Sequence, residues 1–270
     1  RDLVRSRGLG DVYKRQAALS SSIFRVAGFL LMYYAFRQSF PEASASFRQL
    51  RPFPGGLMRR LVSIGLPSGG ENLSYQLSQM SCLVFVNMMG TYVVTTRMYA
   101  VMFANCIFML ISAVSQAGQV LIGYLVGARN LDGAYACGMR ILRGFCPVNV
   151  GISLLMYLAA GPLFGLFTQD ARVIALGKTV MLIEVFLEIG RAFNIVLVRA
   201  LQAAGDVRFP VAVGIASQWA VAVGLGYVLG VRLGMGLAGM WLAFAVDENV
   251  RAALFFIRWK SGRWRTIKTV

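Results

Sequence analysis

Long stretches without a charged residue are the main pattern of this chain. No Asp, Glu, Lys or Arg occurs in the ranges 72–96, 98–128, 144–169 and 209–231. Each range is longer than the ~20 residues that a helix needs to cross a hydrocarbon core of ~30 Å. Within these ranges apolar and polar residues do not alternate, as they would in the strands of a membrane barrel. The pattern therefore predicts membrane-spanning helices.

Three further stretches have the right length but contain ionisable residues. They are 18–36 with Arg25, 174–201 with the sequence EVFLEIGR, and 236–258 with Asp247, Glu248 and Arg251. Turn-forming residues follow four of the seven stretches, in the segments FRQLRPFPGG, GARNLDGA, TQDAR and AAGDVRFP. We therefore predict an all-α polytopic membrane protein with seven transmembrane helices.

Composition and charge agree with this prediction and add an orientation. Of the 270 residues, 57% are hydrophobic and only 14% are charged, against roughly 25% charged in soluble domains. Lys and Arg are concentrated in alternate loops and in the C-terminal tail, which predicts that these segments are cytoplasmic. The opposite loops carry only Arg97, Arg172, Lys178 and Arg232. We expect a multi-pass protein of the cell (plasma) membrane with a cytoplasmic C-terminus, and the net charge of +16 requires no nucleic-acid partner.

The beginning of the chain does not fit this orientation. The segment RDLVRSRGLGDVYKRQ is polar and basic, but it precedes a span that is predicted to begin outside. We interpret residues 1–16 as a non-native, adapter-like segment and exclude them from the fold prediction.

Several enzyme classes are excluded by the residue types that are absent. The chain has no histidine, so the common zinc sites and His-based nucleophilic triads are unavailable. Its four cysteines show no CxxC spacing, and no GxxxxGK[ST] loop occurs. We therefore predict that the protein is not an enzyme, holds no metal and needs no cofactor.

Two predicted spans carry a polar face. In the second, polar residues recur at spacings of three and four, beside Glu71 and Tyr75; they are Ser68, Asn72, Gln76 and Gln79. The third repeats the pattern with Asn105, Ser112, Gln116 and Gln119. Such faces either hold helices together by hydrogen bonds or line a water-filled path. Because two successive helices carry one, we predict a substrate cavity between them, with Asn72, Tyr75, Gln76, Gln79, Asn105 and Gln116 as lining residues.

The charges inside the fifth and seventh spans also share faces. Glu184, Glu188 and Arg191 are four and three residues apart, and Asp247 and Glu248 precede Arg251 by four and three. A charge costs ~2.5 to 3.5 kcal/mol at the centre of a lipid-facing helix, so both faces are predicted to point inward. One interpretation makes Arg191 and Arg251 structural partners of these acids. The other makes Glu71, Glu184, Glu188 or Asp247 a site for a proton or cation. Among these, Glu184 is favoured because no arginine lies three or four residues from it.

Four segments, taken together and in order, resemble the C-terminal half of a multidrug and toxic compound extrusion (MATE) family transporter. They are IGLPSGGENLSYQLSQ, GQVLIGYLVGARNLDGA, ALQAAGDVRFP and GLAGMWLAFAVDENVRAALFFIRWKSGRW, and the resemblance covers roughly residues 17–264. It implies two six-helix lobes related by pseudo-twofold symmetry. On that template residues 17–37 are the last helix of the N-terminal lobe, 38–61 a cytoplasmic linker, 62–258 the C-terminal lobe, and 259–270 a basic cytoplasmic tail.

The resemblance also implies a function and partly conflicts with the acids present. Sodium-coupled members use acids in the first and fourth helices of this lobe, which fall near Tyr75 and Arg191 here, one turn beyond Glu71 and Glu188. We predict a secondary active antiporter that exports organic cations or drugs in exchange for Na+ or H+. Its expected partners are the small-molecule substrate, the lipid bilayer and the N-terminal lobe. The alternatives are a lipid-linked oligosaccharide flippase of the same superfamily and a non-transporting membrane scaffold.

Overall fold

A computed structural model describes residues 2–39, 41 and 55–267. Within these ranges the chain is helical and contains no β-strand, which confirms the predicted all-α class. The α-helices are α1 (Asp2–Ser39), α2 (Gly55–Asn87), α3 (Thr91–Gly127), α4 (Leu131–Leu158), α5 (Ala160–Gly165), α6 (Ala171–Ala203), α7 (Arg208–Ser217) and α8 (Gly236–Lys260). Helix α7 continues as π-helical turns, Gln218–Leu225 and Val228–Arg232, and a 3-10 turn, Arg263–Thr266, follows α8.

Long helices lie at each of the seven predicted spans. Among the described residues, four helices are long and apolar enough to cross a membrane by length and composition alone, namely Leu19–Ser39, Thr91–Gly127, Leu131–Leu158 and Arg208–Arg232, with mean hydropathies of 1.3, 1.9, 1.5 and 1.6. Helices α2, α6 and α8 have more polar sequences because they carry the residues of the candidate site. The chain is therefore a polytopic helical membrane protein, and the number of its helices that cross the bilayer stays a prediction.

The charge-free runs mark helices but not where the helices begin and end. The run 72–96 contains the end of α2, a turn at 88–90 and the start of α3. The turn depends on Gly90, whose φ of +105° is strained for a residue with a Cβ. The run 144–169 likewise holds the end of α4, all of α5 and a turn. A turn at a membrane surface needs no charged residue. In the sequence, the only sign of the turn at 88–90 is Gly90.

The predicted domain boundaries differ from the observed helix ends at three places. Helix α1 begins at Asp2, so most of the segment 1–16 belongs to one continuous helix, and its interpretation as non-native stays a prediction. Helix α2 begins at Gly55, inside the predicted linker 38–61, of which residues 40 and 42–54 lie outside the described residues. Helix α8 extends to Lys260, into the predicted tail.

The core of residues 60–267 consists of two hydrophobic clusters with a charged layer between them. The first cluster includes Val93 of α3 and Leu187 of α6, and the second includes Ile122 of α3 and Leu197 of α6. Both α6 and α8 pass through the two clusters and place their charged residues where one cluster ends and the other begins. Large apolar side chains on the outside of the helices, such as Phe186, remain exposed, which suits a surface covered by lipid.

The beginning of the predicted basic tail packs against the core. Trp264 is buried and stacks on Trp259 with ring centroids 4.4 Å apart, and its Nε1 donates to the Trp259 carbonyl at 3.0 Å. Gly262 permits the reversal, since its φ is +70°. Arg265 contacts Asp132 of α4 at 2.9 Å. Residues 261–267 therefore follow the surface of the helices.

Candidate functional site

A cavity of about 580 Å³ lies among α2, α3, α6, α8 and the π-helical continuation of α7. Its wall contains four carboxylates, those of Glu71, Glu184, Asp247 and Glu248, and four guanidinium groups, those of Arg97, Arg191, Arg199 and Arg251. A space of this size is in the range of small-molecule binding sites. The charges of its wall distinguish it from an ordinary helix interface.

The two polar faces predicted from the sequence meet in this cavity, with two exceptions. Four of the predicted lining residues are part of the wall, namely Asn72, Tyr75, Gln79 and Asn105. Gln76 and Gln116 are exposed and are not part of this wall, so their place in a substrate cavity stays a prediction. Each residue advances ~100° around a helix, so Gln76 is rotated away from Tyr75 toward the outer surface. Gln116 donates instead to Ser112 Oγ at 3.0 Å.

Arg191 is the centre of the charged layer on α6. Its Nη1 contacts Glu184 Oε1 at 3.0 Å and also bonds Glu188 Oε1, and its Nε lies 4.0 Å from Glu248 of α8. Cα–Cβ bonds tilt toward the N-terminus of a helix, so a long side chain reaches back over one or two turns. No arginine lies three or four residues from Glu184, but Arg191 reaches it from seven residues away, so Glu184 is paired.

Arg251 holds the acids of α8 in the same way. Its Nη2 lies 2.5 Å from Asp247 Oδ2 and 3.0 Å from Glu248 Oε1. These are the contacts that the spacings of four and three predict. Because Arg191 also approaches Glu248, the two groups form one network across α6 and α8.

Neutral donors from other helices complete this network, and sequence reasoning missed them. Trp241 Nε1 donates to Glu184 Oε2 at 2.7 Å, and Asn149 Nδ2 of α4 donates to Glu188 Oε2 at 2.8 Å. Asn194 Nδ2 donates to Glu248 Oε2 at 2.5 Å, and the Ser217 hydroxyl donates to Asp247 Oδ1. Asn149 stands out in the sequence as an amide inside an uncharged run, whereas nothing distinguishes Trp241 from an interfacial aromatic residue.

The charged layer contains more acids than bases. Two guanidinium groups, of Arg191 and Arg251, face the carboxylates of Glu184, Glu188, Asp247 and Glu248. Full ionisation would leave two negative charges in excess in a buried place, which is costly without a compensating cation or proton.

Glu71 differs from these four carboxylates. It is partly buried in the cavity wall, and no hydrogen bond or ion pair to it is found among residues 2–39, 41 and 55–267. Its carboxylate lies against Gly214 of α7, where an added Cβ would come 2.6 Å from Glu71 Oε1. The absence of a side chain at Gly214 therefore makes room for this unpaired acid.

Arg97 was expected in an external loop, and that expectation is wrong. It lies in the second turn of α3 and lines the cavity. Its Nη1 is buried and has no hydrogen-bond acceptor among the described residues. Of the four arginines in the cavity wall, Arg199 is the other one with no ion pair to a carboxylate among the described residues, and it donates to Gln119 Oε1 at 3.4 Å.

Comparison with known protein sequences shows that this chain is similar to membrane transporters. Residues 67–228 match the family MatE. Over 247 residues the chain is 37% identical to the "Uncharacterized transporter YisQ" of Bacillus subtilis, covering 92% of this chain and 54% of that protein. It is 26% identical over 204 residues to the "Probable multidrug resistance protein NorM" of Idiomarina loihiensis, covering 73% and 44%. The chain thus spans about half the length of the curated relatives that it matches.

Solved structures share the fold at low sequence identity. A MOP superfamily transporter from Pyrococcus furiosus superposes with a TM-score of 0.75 at 16% identity, over 88% of this chain and 54% of that one. The Vibrio cholerae MATE transporter VcmN in its bent form gives a TM-score of 0.69 at 17% identity, over 78% and 48%.

Proposed function

This chain belongs to the MatE family, and we propose that it is the C-terminal part of a secondary active exporter that moves organic cations or drugs in exchange for Na+ or H+. Proteins of this family are transporters and not enzymes. In this proposal residues 62–258 form one six-helix lobe, and the small-molecule substrate enters between it and a second lobe. The family's relatives with multidrug resistance names support the substrate class.

One observation carries the proposal, namely the unpaired carboxylate of Glu71 in a cavity of substrate size. An ionisable group at membrane depth is costly, so it is expected to pair or to serve a function. The acids of the neighbouring layer are already bound by arginines and amides. We therefore assign the coupling ion to Glu71 in preference to Glu184.

The charged layer supports a change of conformation in response to that ion. Arg191 contacts acids on α6 and approaches Glu248 on α8, so it can exchange partners when the charge near it changes. A cation bound at Glu71 reduces the negative charge of the cavity. It therefore favours the conformation in which Arg191 and Arg251 keep their present carboxylate partners. Rocking of one lobe against the other would then alternate access to the cavity.

The test is ethidium efflux from cells that express the complete transporter gene, measured with and without a sodium gradient. Efflux that depends on sodium or on the proton gradient supports the proposal and identifies the coupling ion. Absence of efflux for ethidium and also for cationic dyes that carry an acidic group, with the protein present in the membrane, contradicts it.

The two alternative functions are less well supported by the cavity. A flippase for lipid-linked oligosaccharides predicts a mainly cationic wall, but four arginines are matched here by four carboxylates. Rescue of a flippase-deficient strain would favour it nevertheless. A non-transporting scaffold predicts that the polar faces are filled by helix contacts, and it is contradicted if cysteines introduced at Gln79 and Asn105 react with a water-soluble reagent.

The membrane orientation belongs to the same proposal. We place the C-terminus in the cytoplasm because the turns after α3 and α6 and the segment after α8 lie on the side where Lys and Arg are concentrated. A cysteine at the exposed residue Ser261 should react with an impermeant reagent only after the cells are opened. Reaction in intact cells would reverse the orientation.

A further inference from the structure

We infer that Arg97 recognises an anionic group of the transported compound, so that this exporter selects amphoteric substrates, with a cationic centre and a carboxylate or similar group. The inference rests on the proposed function and narrows its substrate class.

The first observation concerns the state of the Arg97 side chain. Its Nη1 is buried without an acceptor among the described residues, although Arg97 forms part of the wall of a 580 Å³ cavity. A guanidinium group has five N–H donors and no acceptor. A buried donor without a partner is unfavourable, so an occupant that supplies an acceptor lowers the free energy of the site.

The second observation is the contrast with the other three arginines of the wall. Arg191 and Arg251 each contact at least two carboxylates within 4.0 Å, and Arg199 bonds the amide of Gln119. Arg97 alone among the lining arginines has no such partner in the described part of the chain. The side-chain acceptors that the other three guanidinium groups contact are therefore missing at this one.

The third observation is that the guanidinium group of Arg97 is separated along the helices from the acids of the charged layer. Arg97 lies between Val93 and Ala100, which both belong to the first hydrophobic cluster. The charged layer lies farther along, where that cluster meets the second. A compound with its cationic centre near the acids and its anionic group toward the start of α3 would match both charges of the cavity.

Arginine suits this role because its planar group binds a carboxylate through two parallel hydrogen bonds. A permanent cation without an acidic group would leave Arg97 unpaired and would gain nothing from it. Discrimination between the two kinds of compound is therefore the property to measure.

The experiment uses two dyes that differ by one charge, a rhodamine with a free carboxylic acid and its methyl ester. The dissociation constant of each is measured for the purified complete transporter and for the variants Arg97→Gln and Arg97→Lys. Arg232→Gln is the matched control, since Arg232 is an exposed arginine outside the cavity. Melting curves of all variants check that they are folded.

We expect Arg97→Gln to weaken binding of the free acid by about 10-fold or more, as loss of a charged hydrogen bond does, and to leave the ester within about 2-fold. Arg97→Lys should restore part of the loss because it keeps the charge. The control should change neither dye. An equal loss for both dyes would show that Arg97 has a structural role or contacts the other lobe, and it would overturn the inference, as would no loss for either.

The experiment distinguishes a failure of this inference from a failure of the proposed function. If the ester is bound and exported but Arg97→Gln does not discriminate between the dyes, only the inference is wrong. If neither dye binds the folded wild-type protein, the exporter proposal itself is contradicted, and the inference with it.

Discussion

Gly190 of α6 lies directly against the backbone of α8, where an added Cβ would come 2.6 Å from the amide nitrogen of Asn249. Glu188 and Arg191 flank this glycine in the sequence, and Glu248 and Arg251 flank Asn249. The close approach of the two helices therefore makes one network of their charges. Asn249 strengthens the contact, because its Nδ2 donates to the carbonyl of Phe186 at 3.1 Å.

Gly190→Ala should separate α6 from α8. The new methyl group would meet backbone atoms that have no rotamer to move, and overpacking of this kind costs about 1–3 kcal/mol. We expect a lower melting temperature in detergent. Gly151→Ala is the control, since a Cβ there meets nothing within 4 Å. Equal melting temperatures for the two variants would show that the helix contact is loose.

Arg191→Ala should be among the most destabilising substitutions in the chain. It would leave the buried carboxylates of Glu184 and Glu188 without their cation, and removal of one partner from a buried pair typically costs about 3–5 kcal/mol. Arg172→Ala is the comparison, because the pair of Arg172 with Asp170 is exposed and exposed pairs contribute little to stability. Chemical unfolding measures both, and similar losses would contradict the buried network.

Gly214→Ala should change the behaviour of Glu71 without unfolding the protein. The atom that the new Cβ would meet is the end of a flexible side chain, which can move aside. We expect a normal melting temperature and an altered ion dependence of efflux. Gly123→Ala, where nothing lies within 4 Å, should leave both unchanged. Normal ion dependence in Gly214→Ala would show that the position of the Glu71 carboxylate is not critical.

Glu71→Gln should remove ion coupling, whereas Glu184→Gln should mainly reduce stability. Glu71 has no partner to lose among the described residues, while Glu184 accepts bonds from Arg191 and Trp241. We expect ion-stimulated ethidium efflux to fall by about 10-fold in Glu71→Gln, within the usual range of coupling free energies. Asp132→Asn, at an acid that is 90% exposed, should transport normally. Unchanged coupling in Glu71→Gln would exclude Glu71 as the ion site.

Trp264→Ala should loosen the end of α8. The buried indole stacks on Trp259 and bonds its carbonyl, and truncation of a buried tryptophan costs about 3–5 kcal/mol. Arg263→Ala, at an exposed side chain in the same turn, is the control. Thermal unfolding compares them. Proteolysis after residue 260 should also become faster in Trp264→Ala, and equal rates would show that the segment is not held by this contact.

The lining residues of the cavity show which side-chain positions follow from the sequence of a single helix and which do not. Asn72 and Gln79 lie in the cavity wall, and the three- and four-residue spacings place them on one helix face, whereas their contact with a substrate stays a prediction. Gln76 and Gln116 lie at the edges of those faces, and whether an edge residue faces inward depends on how the whole helix is rotated. Arg97 was missed because the charge-free run 72–96 hid the turn at Gly90, so that its position in α3 was not recognised.

The sequence by itself determined the class of the protein, an all-helical membrane protein, and the ion pairs within single helices, such as Asp247 with Arg251. Both follow from local geometry, since hydropathy over twenty residues and a spacing of four do not depend on the rest of the chain. Only the tertiary structure decided that Glu184 is bound by Trp241 and Arg191 and that Arg97 faces the cavity. It also decided that Glu71 lies beside Gly214 with no hydrogen bond or ion pair among the described residues. These relations join helices far apart in sequence, and their distances depend on how each helix is rotated and shifted against its neighbours.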